Sequence, residues 1–123
     1  MFNRKHYSQM MNHELTVVAE KVKSCSLEDW RVSGHLMARM VEKGINPLQI
    51  AEAIMSFSVI EYKLYHEGEE RVLIRGTRSH EGYQVCVVLN VSRRRIVTAW
   101  KNREDDNHST IKMSEYDAHL VIK

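Results

Sequence analysis

Apolar residues recur at helical spacing through the first half of this chain and alternate with polar ones through the second. Tyr7, Met11, Leu15, Val18 and Val22 mark one side of a helix over residues 6–23, with polar residues on the other side. Ser24-Cys25-Ser26 ends it, and Ser26 with Asp29 resembles a capping box that starts a short turn carrying Trp30. Ser33 is placed as the cap of a second helix, with Leu36, Met37 and Met40 toward the core and Gly44 at its end. Asn46-Pro47 opens a third, with Asn46 as cap and Pro47 at the first helical position. Leu48, Ile50, Ala51, Ile54, Met55 and Phe57 predict a mostly buried helix that ends near Ser58.

From residue 59 the period changes. VIEYKLY (59–65) reads as a strand, HEGEE as a turn and RVLIRG (71–76) as the hairpin partner. YQVCVVLNV (83–91) is nearly all apolar and predicts a central strand. SRRR is a tight basic turn, and IVTAW (96–100) is the last clear strand. KNREDDNHS is polar and predicted to be mobile, and IKMSEYDAHLVIK fits a short helix or a strand equally. Helices followed by strands point to an α+β fold, with N-terminal helices on one face of a roughly four-stranded antiparallel twisted sheet. One domain is expected over residues 1–123: an N-terminal helical extension (1–25), a core (26–102) and an acidic tail (103–123).

Composition narrows the setting. Hydrophobic residues make up 43% and charged residues 28%, which supports a modest core. No apolar run reaches the roughly 20 residues of a membrane span, and the N-terminus lacks the apolar centre of a secretory signal. With Cys25 and Cys86 far apart in sequence, the reading is a reduced, cytoplasmic chain. The net charge of +2 conceals an asymmetry: residues 71–103 carry +7, residues 1–70 carry −2 and residues 104–123 carry −3. The basic stretch suits a polyanion such as RNA or DNA, or alternatively forms a solvated sheet face with a cationic turn. None of the seven histidines forms a close-spaced ligand pair, the cysteines lack C-x-x-C spacing, and there is no Gly-rich phosphate loop, so neither metal nor cofactor is expected.

Several short motifs occur in a recognisable order. His35 is followed by Arg39-Met40, then Glu42, Lys43, Gly44 and Ile45; Ala53-Ile54, Val59-Ile60-Glu61, Arg75-Gly76 and Ile96-Val97-Thr98-Ala99-Trp100 come after. This series resembles the family called domain of unknown function 4258 over roughly residues 33–102. That family is grouped with the RelE-like toxins, within the barnase, EndoU, colicin nuclease and RelE (BECR) superfamily. The resemblance implies a helix-plus-sheet fold and, in many relatives, metal-independent RNA cleavage. Two departures stand out: Trp100 where tyrosine is common, and Gly34-His35-Leu36 in place of the usual His-Ala context. Tryptophan cannot act as a titrating proton donor.

RNA cleavage without a metal needs a proton taken from the 2′-hydroxyl, a proton given to the leaving oxygen and stabilisation of a charged phosphorane. Histidine suits proton transfer and arginine suits the phosphorane. His35 and Arg39 are four residues apart and share a helix face, with Lys43 one turn on. Arg71 and Arg75 share a strand face, and Thr98 carries a hydroxyl for a phosphate oxygen. The expected catalytic set is therefore His35, Arg39 and Thr98, with Lys43, Arg71, Arg75, Tyr83 and Trp100 as substrate contacts; Tyr83 is the substitute proton donor. Each has a plainer alternative: a surface histidine, an Arg39–Glu42 ion pair, a dipole-complementing Lys43, a β-forming Thr98, solvated arginines and half-buried aromatics.

Three functions compete. The first is a toxin-type endoribonuclease acting on RNA, held in check by an antitoxin or immunity protein and in part by the acidic tail. The second is an inactive relative serving as a phage or plasmid regulator, with homodimerisation or partner docking through the helix at residues 6–23. The third is simple nucleic-acid binding through the basic segment.

Overall fold

The computed structural model describes residues 3–123. Three α-helices precede most of the sheet: α1 (Asn12–Lys23), α2 (Gly34–Glu42) and α3 (Pro47–Met55). The strands are β1 (Arg4–His6), β2 (Phe57–Leu64), β3 (Glu70–Gly76), β4 (Tyr83–Asn90) and β5 (Arg95–Arg103). They form one antiparallel sheet in the order β1-β2-β3-β4-β5, five strands where four were expected. The α+β class holds.

The fifth strand comes from residues just ahead of the predicted first helix and takes that helix's first residue, His6. Arg4–His6 pair with Glu61–Lys63 at the edge of β2, and Tyr7–Gln9 form a 3₁₀ turn instead of helix. The local chemistry explains the difference. His6 Nδ1 accepts from the Ser8 N–H at 3.2 Å, and the Gln9 side chain accepts from the His6 N–H at 3.0 Å, which closes a capping box around the turn. Tyr7 and Met11 keep helical spacing only by coincidence, and Met11 is exposed. The helix proper buries Glu14, Val18 and Val22 against β2. Glu14 is buried because the Lys5 ammonium donates to it at 2.7 Å, and the same ammonium donates to the Leu120 carbonyl at 3.0 Å.

α2 and α3 start where the caps predicted. Ser33 Oγ accepts from the Leu36 N–H at 3.1 Å, and Asn46 Oδ1 accepts from the Gln49 N–H at 2.9 Å, with Pro47 at the first helical position. Gly44 (φ +80°) closes α2 in a conformation that disfavours a side chain. α3 ends at Met55, and its buried stripe is Ile50, Ala53 and Ile54. Leu48 and Met55, expected inside, are 67% and 71% exposed. α3 lies close against the sheet: a Cβ on Gly76 would stand 2.9 Å from that of Ala53.

α1 packs on β2, α3 on β3 and β4, and α2 on β5. The core joins Val18, Val22, Met40, Ile50 and Ala53 to Val72, Ile74, Val85, Val87 and Leu89. The opposite sheet face carries Arg71, Leu73 and Arg75, alternating with the core positions of β3. After β5, residues 104–123 contain one 3₁₀ turn (Met113–Glu115), neither the helix nor the strand foreseen. They form a strap held by named contacts. The Tyr7 hydroxyl donates to the Asn107 carbonyl at 3.0 Å, the Asp117 N–H donates to the Arg4 carbonyl at 2.7 Å, and Ile122 is buried. Both cysteines are free thiols, and burial pushes that of Cys86 up to about 12. Among the described residues no helix is long and apolar enough to cross a membrane.

Candidate functional site: an arginine-lined cavity at the edge of the sheet

β5 is the sheet's outer strand, and the chain ahead of α2 runs along its free edge. The Arg31 N–H donates to the Arg94 carbonyl at 2.9 Å, and the Ile96 N–H donates to the Arg31 carbonyl at 2.8 Å, a single parallel bridge between Arg31 and Arg95. This bridge sets α2 beside β5, and its first turns share a cavity with the β4–β5 turn and the start of β3. A cavity of about 710 Å³ results, lined by His35 and Arg39 from α2, by Arg31 before it, and by Glu69, Arg71, Asn90, Arg93 and Arg95 from the sheet side.

Five arginines therefore share the cavity with one histidine and one acid, Glu69. Glu69 accepts from Arg71 Nε at 2.9 Å and faces Arg93 Nε at 3.5 Å. Burial would raise its carboxyl, but hydrogen bonds from Arg71 and Asn90 and the charges of Arg71 and Arg93 hold it below the usual range. Glu69 thus orients two of the arginines and compensates part of their charge. Among the described residues, the side chains of His35, Arg31, Arg39 and Arg95 have no hydrogen-bond or ion-pair partner. The anticipated Arg39–Glu42 ion pair is not formed, so the guanidinium is left for an external anion.

The expected contacts divide between regions. Arg71 lines the same cavity as His35 and Arg39, whereas Arg75 does not. Arg75 Nη1 donates to the Asp106 carbonyl at 2.9 Å and lies 3.3 Å from His108 Nδ1, so the strap occupies it. Thr98 pairs with Val88 on the same sheet face as Arg71 but does not line the cavity. Trp100 lines a neighbouring groove of about 330 Å³ with Arg4, Lys63, Tyr65, Arg71 and Leu73. Tyr83 accepts at its hydroxyl from Gln49 Nε2 at 3.0 Å and carries Lys101 Nζ 4.6 Å from its ring centre, on the α3 side. Lys43 caps the end of α2 outside the cavity. The proton donor proposed at Tyr83 and the phosphate contacts proposed at Lys43 and Arg75 are therefore not brought to His35.

Arg31 was not among the expected site residues, and Arg93 and Arg95 entered only as part of the basic segment suited to a polyanion. The run SRRR signalled charge, but nothing in the sequence ties Arg31 to Arg95, because an isolated edge bridge has no pattern of its own. Among the described residues no group of three His, Cys, Asp or Glu side chains could hold a metal ion. Comparisons with family models, with curated proteins and with solved structures found no match.

Proposed function

We propose that the protein is a metal-independent endoribonuclease of the toxin type, with the cavity at the β5 edge as its phosphodiester site. One observation carries this reading: five arginines and a histidine surround a single carboxylate in one accessible cavity. Such an excess of cationic donors suits a polyanion, and guanidinium forks match phosphate oxygens. The resemblance of residues 33–102 to domain of unknown function 4258, and through it to RelE-like toxins, supports the reading from the sequence.

In this mechanism His35 exchanges the protons. It takes one from the 2′-hydroxyl as that oxygen attacks phosphorus and returns one to the departing 5′-oxygen, leaving a 2′,3′-cyclic phosphate. Arg39 and Arg95 bind the two free oxygens of the phosphorane, while Arg71 and Arg93, held by Glu69, fix the adjoining phosphates. Neither Thr98 nor Arg75 takes part. The reading also calls for a cytoplasmic inhibitor, an antitoxin or immunity protein, that masks these cations. A homodimer through α1 would use the outer residues Asn12, Thr16, Glu20 and Lys23, since Val18 and Val22 are committed to the core.

A second reading, a nucleic-acid-binding regulator without activity, is favoured by one feature: His35 is the cavity's sole imidazole, and Trp100 stands where a tyrosine is common. Incubation of purified protein with RNA in excess chelator separates the two. The nuclease yields cyclic-phosphate ends that disappear in His35→Ala; the regulator binds the RNA intact in both forms, and that result would refute cleavage.

A further inference from the structure

The register of the sheet aligns a row across all five strands, basic on four of them and broken by Asn90 on β4. Arg4 on β1 pairs with Lys63 on β2, Lys63 with Arg71 on β3, Arg71 with Asn90 on β4, and Asn90 with Arg95 on β5. Paired residues share a face, so the row crosses the side of the sheet away from the helices. At ~4.8 Å per strand it extends about 19 Å. One end lies in the arginine cavity; the other enters the groove lined by Trp100, and Arg71 is a wall of both.

Tyr65 organises the groove. Lys63 Nζ lies 4.7 Å and Arg71 Cζ 4.8 Å from its ring centre, so one aromatic ring holds two of the cations by cation–π contact. At the far end the Arg4 guanidinium makes two hydrogen bonds to Glu61, at 2.8 and 3.0 Å, and lies 4.4 Å from the Tyr116 ring centre. Arg4 is therefore a fixed and largely compensated post. Trp100, half-exposed, presents an indole beside Leu73 and Val88 at the groove's edge. Cations in file along a strip of apolar and aromatic surface match a nucleic-acid strand whose bases are unpaired. A duplex keeps its bases stacked inside and offers none to an indole.

We propose that this groove seats an unpaired nucleotide of single-stranded RNA, its base stacked on Trp100 and its backbone running past Arg71 and Lys63. This proposal rests on the reading that the adjoining cavity takes a phosphodiester. It adds that the strand leaves the cavity across the open sheet face, and that single strands are preferred over duplexes.

The test uses the full chain and a fluorescent 2′-O-methyl oligouridylate, which cannot be cut, alone and annealed to its complement. The free strand should bind more tightly than the duplex and quench the fluorescence of Trp100. Trp100→Leu should weaken single-strand binding about 5- to 100-fold, the range expected for loss of one stacked base, while Trp100→Phe retains most of it. Lys63→Gln should weaken it a few-fold and flatten its salt dependence. If Trp100→Leu does not fold, quenching in the wild type and binding by Lys63→Gln decide the matter. Wild-type affinity in both Trp100→Leu and Lys63→Gln, with Arg39→Gln impaired, would overturn the groove and leave the cavity reading intact. Should Arg39→Gln also bind normally, the cavity reading fails as well.

Discussion

Arg71 and Arg75 are the same residue on the same face of the same strand, one near its start and one near its end, yet the chain gives them different surroundings. Over Arg71 it opens a cavity, with α2, the segment before it and the β4–β5 turn bringing four more arginines and His35. Over Arg75 it lays the strap, whose Asp106 carbonyl and His108 ring occupy the guanidinium. The strap end is a closed structure: Cys86 and Asn102 are buried beneath it, and Asn102 Nδ2 donates to the carbonyls of Arg103 and Asp106 at 3.1 and 3.0 Å. The cavity end keeps side chains without partners. Strand position alone therefore does not assign an arginine to function or to structure; what the rest of the chain lays over each end does.

The widest gap between the ends should appear in the two histidines. His35→Ala should lower RNA cleavage about 100- to 10,000-fold, the usual contribution of a positioned acid–base group, while His108→Ala leaves the rate within about two-fold. Equal loss in both would make the ends equivalent and undo the comparison. Next come the two arginines. Arg71→Gln should weaken RNA binding about tenfold, consistent with loss of a charge-assisted hydrogen bond, and leave Glu69 to repel the phosphate. Arg75→Gln should barely alter RNA affinity. It should instead release the strap, seen as faster proteolysis within residues 104–118 and a stability loss of about 1–2 kcal/mol in denaturant titrations.

The smallest expected effect is on pH. Burial lowers both His6 and His108 in the folded chain, whereas an unfolded histidine titrates near ~6.5. Above that value both states are neutral and the strap has its full stability. As the pH falls below it, the unfolded state takes up protons first, so stability declines. The Glu14 carboxyl, lowered by its hydrogen bond from Lys5, loses its contribution only at still lower pH, beneath the ordinary glutamate range. Thermal melts at pH 7 and pH 5.5 should show a modest drop, reduced in His108→Gln. An unchanged melting temperature would mean that the strap end does not sense protons.

How much of this was legible beforehand depended on whether the governing interaction was local. Caps at Ser33 and Asn46, the stop at Gly44 and four strands between residues 59 and 100 follow from neighbours a few residues apart, and the sequence displays them, short of the ends at Phe57 and Arg103. His35 and Arg39 on one helix face came from the same kind of rule. β1 was missed because three residues make too short an alternation to recognise, and because Tyr7 and Met11 extended the helical pattern backwards. The closeness of Arg31 to Arg95 was missed because one long-range edge bridge joins them, and the strap because its anchors, Asp117 to Arg4 and Tyr116 to Arg4, reach across most of the chain. The choice between Arg71 and Arg75 belongs to that second kind and needed the folded chain.

The central claim, that the cavity end alone engages an RNA backbone, is tested most directly by the salt dependence of single-strand binding. Each phosphate neutralised contributes about 0.7 to the slope of log affinity against log salt. Replacing Arg39 and Arg95, which hold one phosphate between them, with glutamine should reduce that slope by about 0.7, while replacing Arg75 and Arg78 together leaves it unchanged. If the second pair flattens the slope as much as the first, or if neither pair alters it, the cavity is not where RNA binds.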